Sequence, residues 1–161
     1  MKKFFAVVAV LMLLAAASFA QISTAQAAVA RRHSQEEVKN FPHEVVRLVN
    51  QERAKVGLQP LRFAEDLAAS ALVRAVELPA KFSHTRPNGL KCFTAMAQRG
   101  HVLGENLAGG QKTPKQVVQA WMDSKTHRDN ILGKNYTEIG VVYYYQSKSK
   151  YKHYWVQHFR G

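Results

Sequence analysis

The chain has 161 residues, with 23 Lys and Arg against 11 Asp and Glu and a single cysteine, Cys92. One domain with a real core fits that length and two ordinary ones do not; a lone cysteine excludes a disulfide within the chain. The formal charge of +12 favours polyanions such as anionic cell-wall polymers or lipid head groups. That charge is scattered, dense only at Arg31-Arg32 and at Lys148, Lys150 and Lys152, and no nucleic-acid-binding motif accompanies it, so no specific nucleic-acid partner is expected.

The N-terminus reads as an export signal. Met1-Lys2-Lys3 is basic, Phe4 to Phe19 is almost unbroken apolar sequence, and Ala25-Gln26-Ala27 fits the small-x-small cleavage rule. Residues 1–27 are therefore expected to be a signal peptide cut after Ala27, with Ser18-Phe19-Ala20 as an alternative site. The apolar stretch is short for a bilayer-spanning helix, which needs about 20 residues. No later stretch is long or apolar enough, so the mature chain should be soluble and without a transmembrane segment; the signal implies secretion to the extracellular space or cell envelope, and a monomer is expected.

Residues 28–40 are polar, without an apolar period, and read as a flexible lead-in to a domain over 41–161. His43 to Val56 predicts the first helix, with Val45, Val46, Leu48 and Val49 at helical spacing and Gly57 as its stop. Pro60 keeps Gln59 to Phe63 extended. Ala64 to Leu78 predicts an alanine- and leucine-rich helix with Pro79 beyond it. Pro87-Asn88-Gly89 marks a turn, and Phe93 to Arg99 a short helix ended by Gly100. His101 to Ala108 is a short strand or irregular segment, and Gly109-Gly110 a turn. Thr113 to Asp123 is a third major helix, with Thr113 as N-cap and Pro114 at its first position. Ile139 to Tyr145 and Tyr151 to Phe159 predict an antiparallel hairpin, whose alternating aromatics suit sheet packing. Helices followed by late antiparallel strands indicate an α+β domain with a sheet between helical layers.

Within this frame His84, Glu105 and His127 stand out, each in a polar, turn-rich stretch. Histidine and glutamate are the side chains best able to move protons or hold a metal near neutral pH. Ser124 lies close to His127 in sequence. Asn106 neighbours Glu105, and Gln157 shares a strand face with His153, Trp155 and Phe159 by alternation. These three are secondary candidates for the same cleft. His33, His43, His101, His153 and His158 read as surface or sheet residues. Cys92 reads first as a small buried residue, with an intermolecular bridge or a nucleophile as alternatives.

Several motifs occur in a telling order: Asn50-Gln51-Glu52-Arg53, Phe82-Ser83-His84 with Pro87-Asn88-Gly89, Gly104-Glu105-Asn106-Leu107-Ala108, Trp121, His127-Arg128 with Asn130-Ile131-Leu132, Tyr136-Thr137-Glu138-Ile139-Gly140, and Gln157 with Phe159. With these, the chain from about Val45 to Phe159 resembles the bacterial secreted branch of the CAP superfamily, the SCP or cysteine-rich secretory protein domain. The resemblance implies a three-layer α-β-α sandwich with a broad cleft lined by two histidines and two acidic residues. His84, Glu105 and His127 would be three of the four. The fourth position, three residues after Trp121, is Ser124, with Asp123 beside it.

Family members bind divalent metal through the paired histidines, so the resemblance implies His84 and His127 as ligands for zinc or another divalent cation. Glu105 would orient an imidazole, join the metal or take a proton from bound water. Two protein ligands are fewer than the three usual for catalytic zinc, so binding should be weak. Three functions follow as expectations: a secreted protein that binds at the envelope, a metal-assisted hydrolase of peptide or wall material, and a lipid or sterol carrier. In the hydrolase, His84, Glu105 and His127 would be the catalytic residues.

Overall fold

The computed structural model describes residues 35–97 and 100–161. The expected signal peptide, 1–27, and residues 28–34 of the lead-in lie outside them. The chain divides into two compact units, Met1–Lys39 and Asn40–Gly161. Of the first, residues 35–39 are helical, with Lys39 Nζ 3.1 Å from Glu36. Helix thus begins before the apolar period does, among residues that the sequence places in a flexible lead-in.

In the second unit α1 occupies 40–55 and buries Phe41, Val45, Val49 and Arg53, a row spaced four residues apart on one face. Arg53 earns its burial through hydrogen bonds. Its Nε donates to the Gln59 carbonyl at 2.9 Å, and its Nη1 to the Ile131 and Gly133 carbonyls at 2.8 and 2.9 Å. Asn50 exchanges a pair of bonds with the Leu61 backbone, at 3.0 and 2.8 Å. The Asn50 to Arg53 motif is therefore architectural, since it fastens the next two segments to α1.

The connector ends in β1, Arg62–Phe63, and α2 follows over Glu65–Glu77. The expected helix over Phe93 to Arg99 is instead a 3-10 turn, Cys92–Ala95. Met96 leaves it in extended backbone and buries its side chain with Ala64 and Leu67, so core burial overrides local helix preference. Next come β2, Leu103–Gly109, and α3, Pro114–Asp123. Thr113 caps α3 as its sequence indicates, its side chain accepting from Gln116 N at 3.3 Å. A helix the apolar pattern did not announce, α4, runs Lys125–Ile131. The chain closes with β3, Glu138–Tyr145, and β4, His153–Arg160. The hairpin loop is longer than expected because Tyr151 and Lys152 leave the ladder, Lys152 at φ 62°.

The sheet order is β1-β3-β4-β2, with β1 parallel to β3 and the other pairs antiparallel. Alternation sends Ile139, Val141, Trp155 and Phe159 to one face, against α1 and against Val117, Trp121 and Ile131 from α3 and α4. Leu107, Tyr154 and Val156 face the other way, onto Ala71, Ala75 and Leu78 in and just after α2. This is the α-β-α sandwich, and its aromatic strand residues divide between the two faces. Gly140 is what lets α2 settle: a Cβ there would lie 2.2 Å from the Leu67 backbone. Among the described residues no helix is long and apolar enough to cross a membrane.

Candidate functional site

β2 is an edge strand, and consecutive residues on it serve opposite faces. Glu105 pairs with His158 and Asn106 with Gln157. Glu105 turns toward α2, and Asn106 toward α4.

The Glu105 side chain is 1% exposed. Its Oε2 accepts from Arg74 Nε and His158 Nε2, both at 3.0 Å, and its Oε1 meets His84 Nδ1 at 2.7 Å. Burial alone would raise the carboxyl pKa. The bonds from His158, His84 and Arg74 outweigh it and hold the group down to about 2. Arg74 is itself fully buried, and its Nη1 reaches Glu77 at 2.6 Å while its Nη2 donates to the Ser83 carbonyl. Arg86 bonds Glu77 from the other side at 2.7 Å. His158 completes the cluster with Nδ1 2.7 Å from Ser70 Oγ. Three segments, α2, β4 and the stretch around His84, thus converge on the carboxylate that β2 presents.

His84 sits at the outer edge of this cluster, 60% of its side chain exposed. It opens a loop closed by a bridge between Thr85 and Lys91 and by Cys92 N donating to the His84 carbonyl at 3.0 Å. The predicted turn lies at the loop's tip, where Gly89 N bonds the Arg86 carbonyl and Gly89 takes φ +84°. Cys92, at the loop's far end, is buried and free. Burial and the adjacent Glu105 charge push its thiol up to about 12.

His127 comes from α4. Its Nδ1 lies 2.8 Å from Ser124 Oγ, and its carbonyl accepts from Asn106 Nδ2 at 3.0 Å. Ser124 joins α3 to α4 and makes no side-chain cap bond to α4; its hydroxyl serves His127 instead. Burial lowers the His127 pKa, and the neighbouring His84 lowers it further. Asn106 also bonds Gln157 Oε1 at 3.1 Å and receives Asn130 Nδ2 at 2.8 Å, so Asn106, Asn130 and Gln157 lock α4 onto β2. Gln157 Nε2 is buried without a partner. Asp123 is directed elsewhere, accepting from Gln119 at 2.8 Å.

The structure therefore joins His84 to Glu105 directly, while the hydrogen bonds of His127 go to Ser124 and Asn106. Ser124, Asn106 and Gln157 all belong to the His127 side. The sequence reading missed Arg74, Glu77, Ser70 and Cys92 as participants, and placed His158 as a surface or sheet residue. His158 is a sheet residue, but a fully buried one bonded to Glu105. One signal was available: Ser70, Arg74 and Glu77 form a polar row at helical spacing beside the apolar row of α2.

Fold and site together define an α-β-α sandwich protein with a buried glutamate on its edge strand that His84, His158 and Arg74 surround. The profile of the Cysteine-rich secretory protein family, CAP, matches residues 46–159. The protein YkwD of Bacillus subtilis (strain 168) is 44% identical over 111 residues, 66% of this chain and 43% of YkwD; the chain thus spans less than half of that relative. An outer surface protein of Borrelia burgdorferi has the same fold at 22% identity and a TM-score of 0.63, over 71% of this chain and 87% of that one. An extracellular protein containing a SCP domain from Bacillus anthracis has it at 23% identity and a TM-score of 0.65, over 76% and 41%. The chain belongs to the Cysteine-rich secretory protein (CAP) family.

Proposed function

We propose that this is a secreted protein that acts by binding at the cell envelope or in the extracellular space, with a cleft at His84, Glu105 and His127 that holds a divalent cation weakly. One observation carries the reading: both histidines are fixed through Nδ1, His84 by the Glu105 carboxylate at 2.7 Å and His127 by the Ser124 hydroxyl at 2.8 Å. Where Nδ1 carries the proton, as the carboxylate requires of His84 and as a Ser124 hydroxyl accepting from His127 allows, Nε2 of the neutral ring keeps its lone pair for a metal. A carboxylate behind the imidazole is the usual support for such a ligand. The lowered pKa of His127 favours the neutral, ligating form. His84 and His127 would hold the ion, and the ion would supply a Lewis acid for an anionic or carbonyl-bearing ligand.

Binding is favoured over hydrolysis by Glu105 itself. A carboxylate held down to about 2 and already accepting three hydrogen bonds is a poor general base at neutral pH. It is a positioning residue. Export is supported by the signal-like segment at residues 1–27, and the net positive charge suits anionic wall polymers.

Zinc titration by calorimetry tests the site. His84→Ala and His127→Ala should each weaken binding by about tenfold or more; equal affinity in the parent and both variants would sink it. A carrier of apolar ligands is the second reading. It is favoured by an open hollow of about 370 Å³ away from the cleft, lined in part by Phe63, Ala68, Leu72, Val141 and Val142. A fluorescent fatty acid displaced by the Leu72→Asp change would support it, and no uptake by the parent protein would end it.

A further inference from the structure

We propose that Cys92 is a sulfur donor to the cation in this cleft, so that the wall formed by His84, Cys92 and Glu105 selects a thiophilic divalent ion of the zinc or cadmium kind. The inference rests on the metal-cleft reading and names what that reading leaves open, the donors that join His84 and the ion class.

The geometry is convergent. One ligating atom each from His84, Cys92 and Glu105 lie within 4.8 Å of one another. Zinc bonds run about 2.0–2.3 Å, so these donors close on a single ion by side-chain shifts of about an ångström. His84, being largely exposed, has the freedom to make that shift. Cys92 does not drift from it, because Cys92 N is bonded to the His84 carbonyl at 3.0 Å. The two donors are the two ends of one closed loop. When an ion binds, Glu105 would pass from supporting His84 to sharing the ion with it: the ion would replace the 2.7 Å bond between His84 Nδ1 and Oε1, while Oε2 keeps its two hydrogen bonds.

The charge around the thiol points the same way. Cys92 is 5% exposed and packed beside a carboxylate that stays ionised. Arg74 already pairs with that carboxylate at 3.0 Å, so the charge that would hold the ion comes from the thiolate left when the ion displaces the thiol proton. Three protein donors with an open position also meet the usual ligand number of zinc sites that exchange a ligand. A thiolate among them ranks zinc and cadmium above magnesium and calcium.

Cobalt(II) titration of the reduced, purified protein reads this directly. Cobalt should give visible ligand-field bands together with a near-ultraviolet sulfur-to-cobalt charge-transfer band. Zinc should abolish both, and a large excess of magnesium neither. Cys92→Ser should lose the charge-transfer band and bind zinc about tenfold more weakly or worse. Cobalt bound with ligand-field bands but no charge-transfer band in the parent protein would overturn the role of Cys92 and leave the paired histidines standing. Absence of any cobalt or zinc binding would overturn the cleft reading and this inference with it. The parent spectrum decides the matter even where Cys92→Ser fails to fold.

Discussion

Glu105 illustrates how a functional-looking residue is first a structural one. Its carboxylate balances a fully buried Arg74 and bonds a fully buried His158. Removing one partner of a buried ion pair leaves the other uncompensated, at a cost of about 3–5 kcal/mol. Glu105→Gln should lose stability on that scale in urea denaturation; a loss under about 1 kcal/mol, the value of an exposed pair, would contradict the network. The sign of the pH dependence follows. Glu105 is held at about 2, below its ordinary 4.5, so its stabilisation is complete above about pH 4.5 and disappears as the pH falls toward 2. Stability of the parent should decline across that window, and Glu105→Gln should flatten the decline. His84, Glu105 and His127 each stand in a marked motif, and the structure bonds the first two to one another. Arg74 and His158 were not legible, because a buried charge is intelligible only with its partners, and those lie 31 and 53 residues from Glu105 in sequence.

Elements with local causes were read well, and those with distant causes poorly. Thr113 followed by Pro114 carries its own cap, and α3 begins where they stand. α4 has no such marker: in Lys125–Ile131 only Ile131 is buried, so seven residues show no apolar period. Its anchors are Asn106 and the Arg53 guanidinium, both from elsewhere in the chain. β1 is two residues long and exists only through its parallel pairing with β3. Gly140 links these scales. A methyl group there would sit 2.2 Å from the Leu67 carbonyl carbon and 2.3 Å from Ala68 N, backbone atoms that cannot swing aside. Gly140→Ala should therefore push α2 from the sheet and cost about 1–3 kcal/mol or more, the range for overpacking. An unchanged thermal midpoint would show that α2 slides freely on β3.

At the scale of the whole molecule, the sandwich is that of the family, and the two faces of β2 carry Glu105 and Asn106 into different layers. Glu105 supports His84 from the α2 layer, and Asn106 holds the His127 segment in the layer opposite. The layers otherwise communicate through the sheet between them. An ion shared by His84 and His127 would add a second connection, a staple around the rim of the sandwich. Its effect would then be mechanical as well as chemical. Zinc should slow amide hydrogen exchange in the loop from His84 to Cys92 and in α4 together, and raise the thermal midpoint with zinc concentration. Protection confined to one of the two segments would place the ion on one side only. Coupled protection would mean that a loosely held ion tunes how rigidly the two helical layers present a single surface.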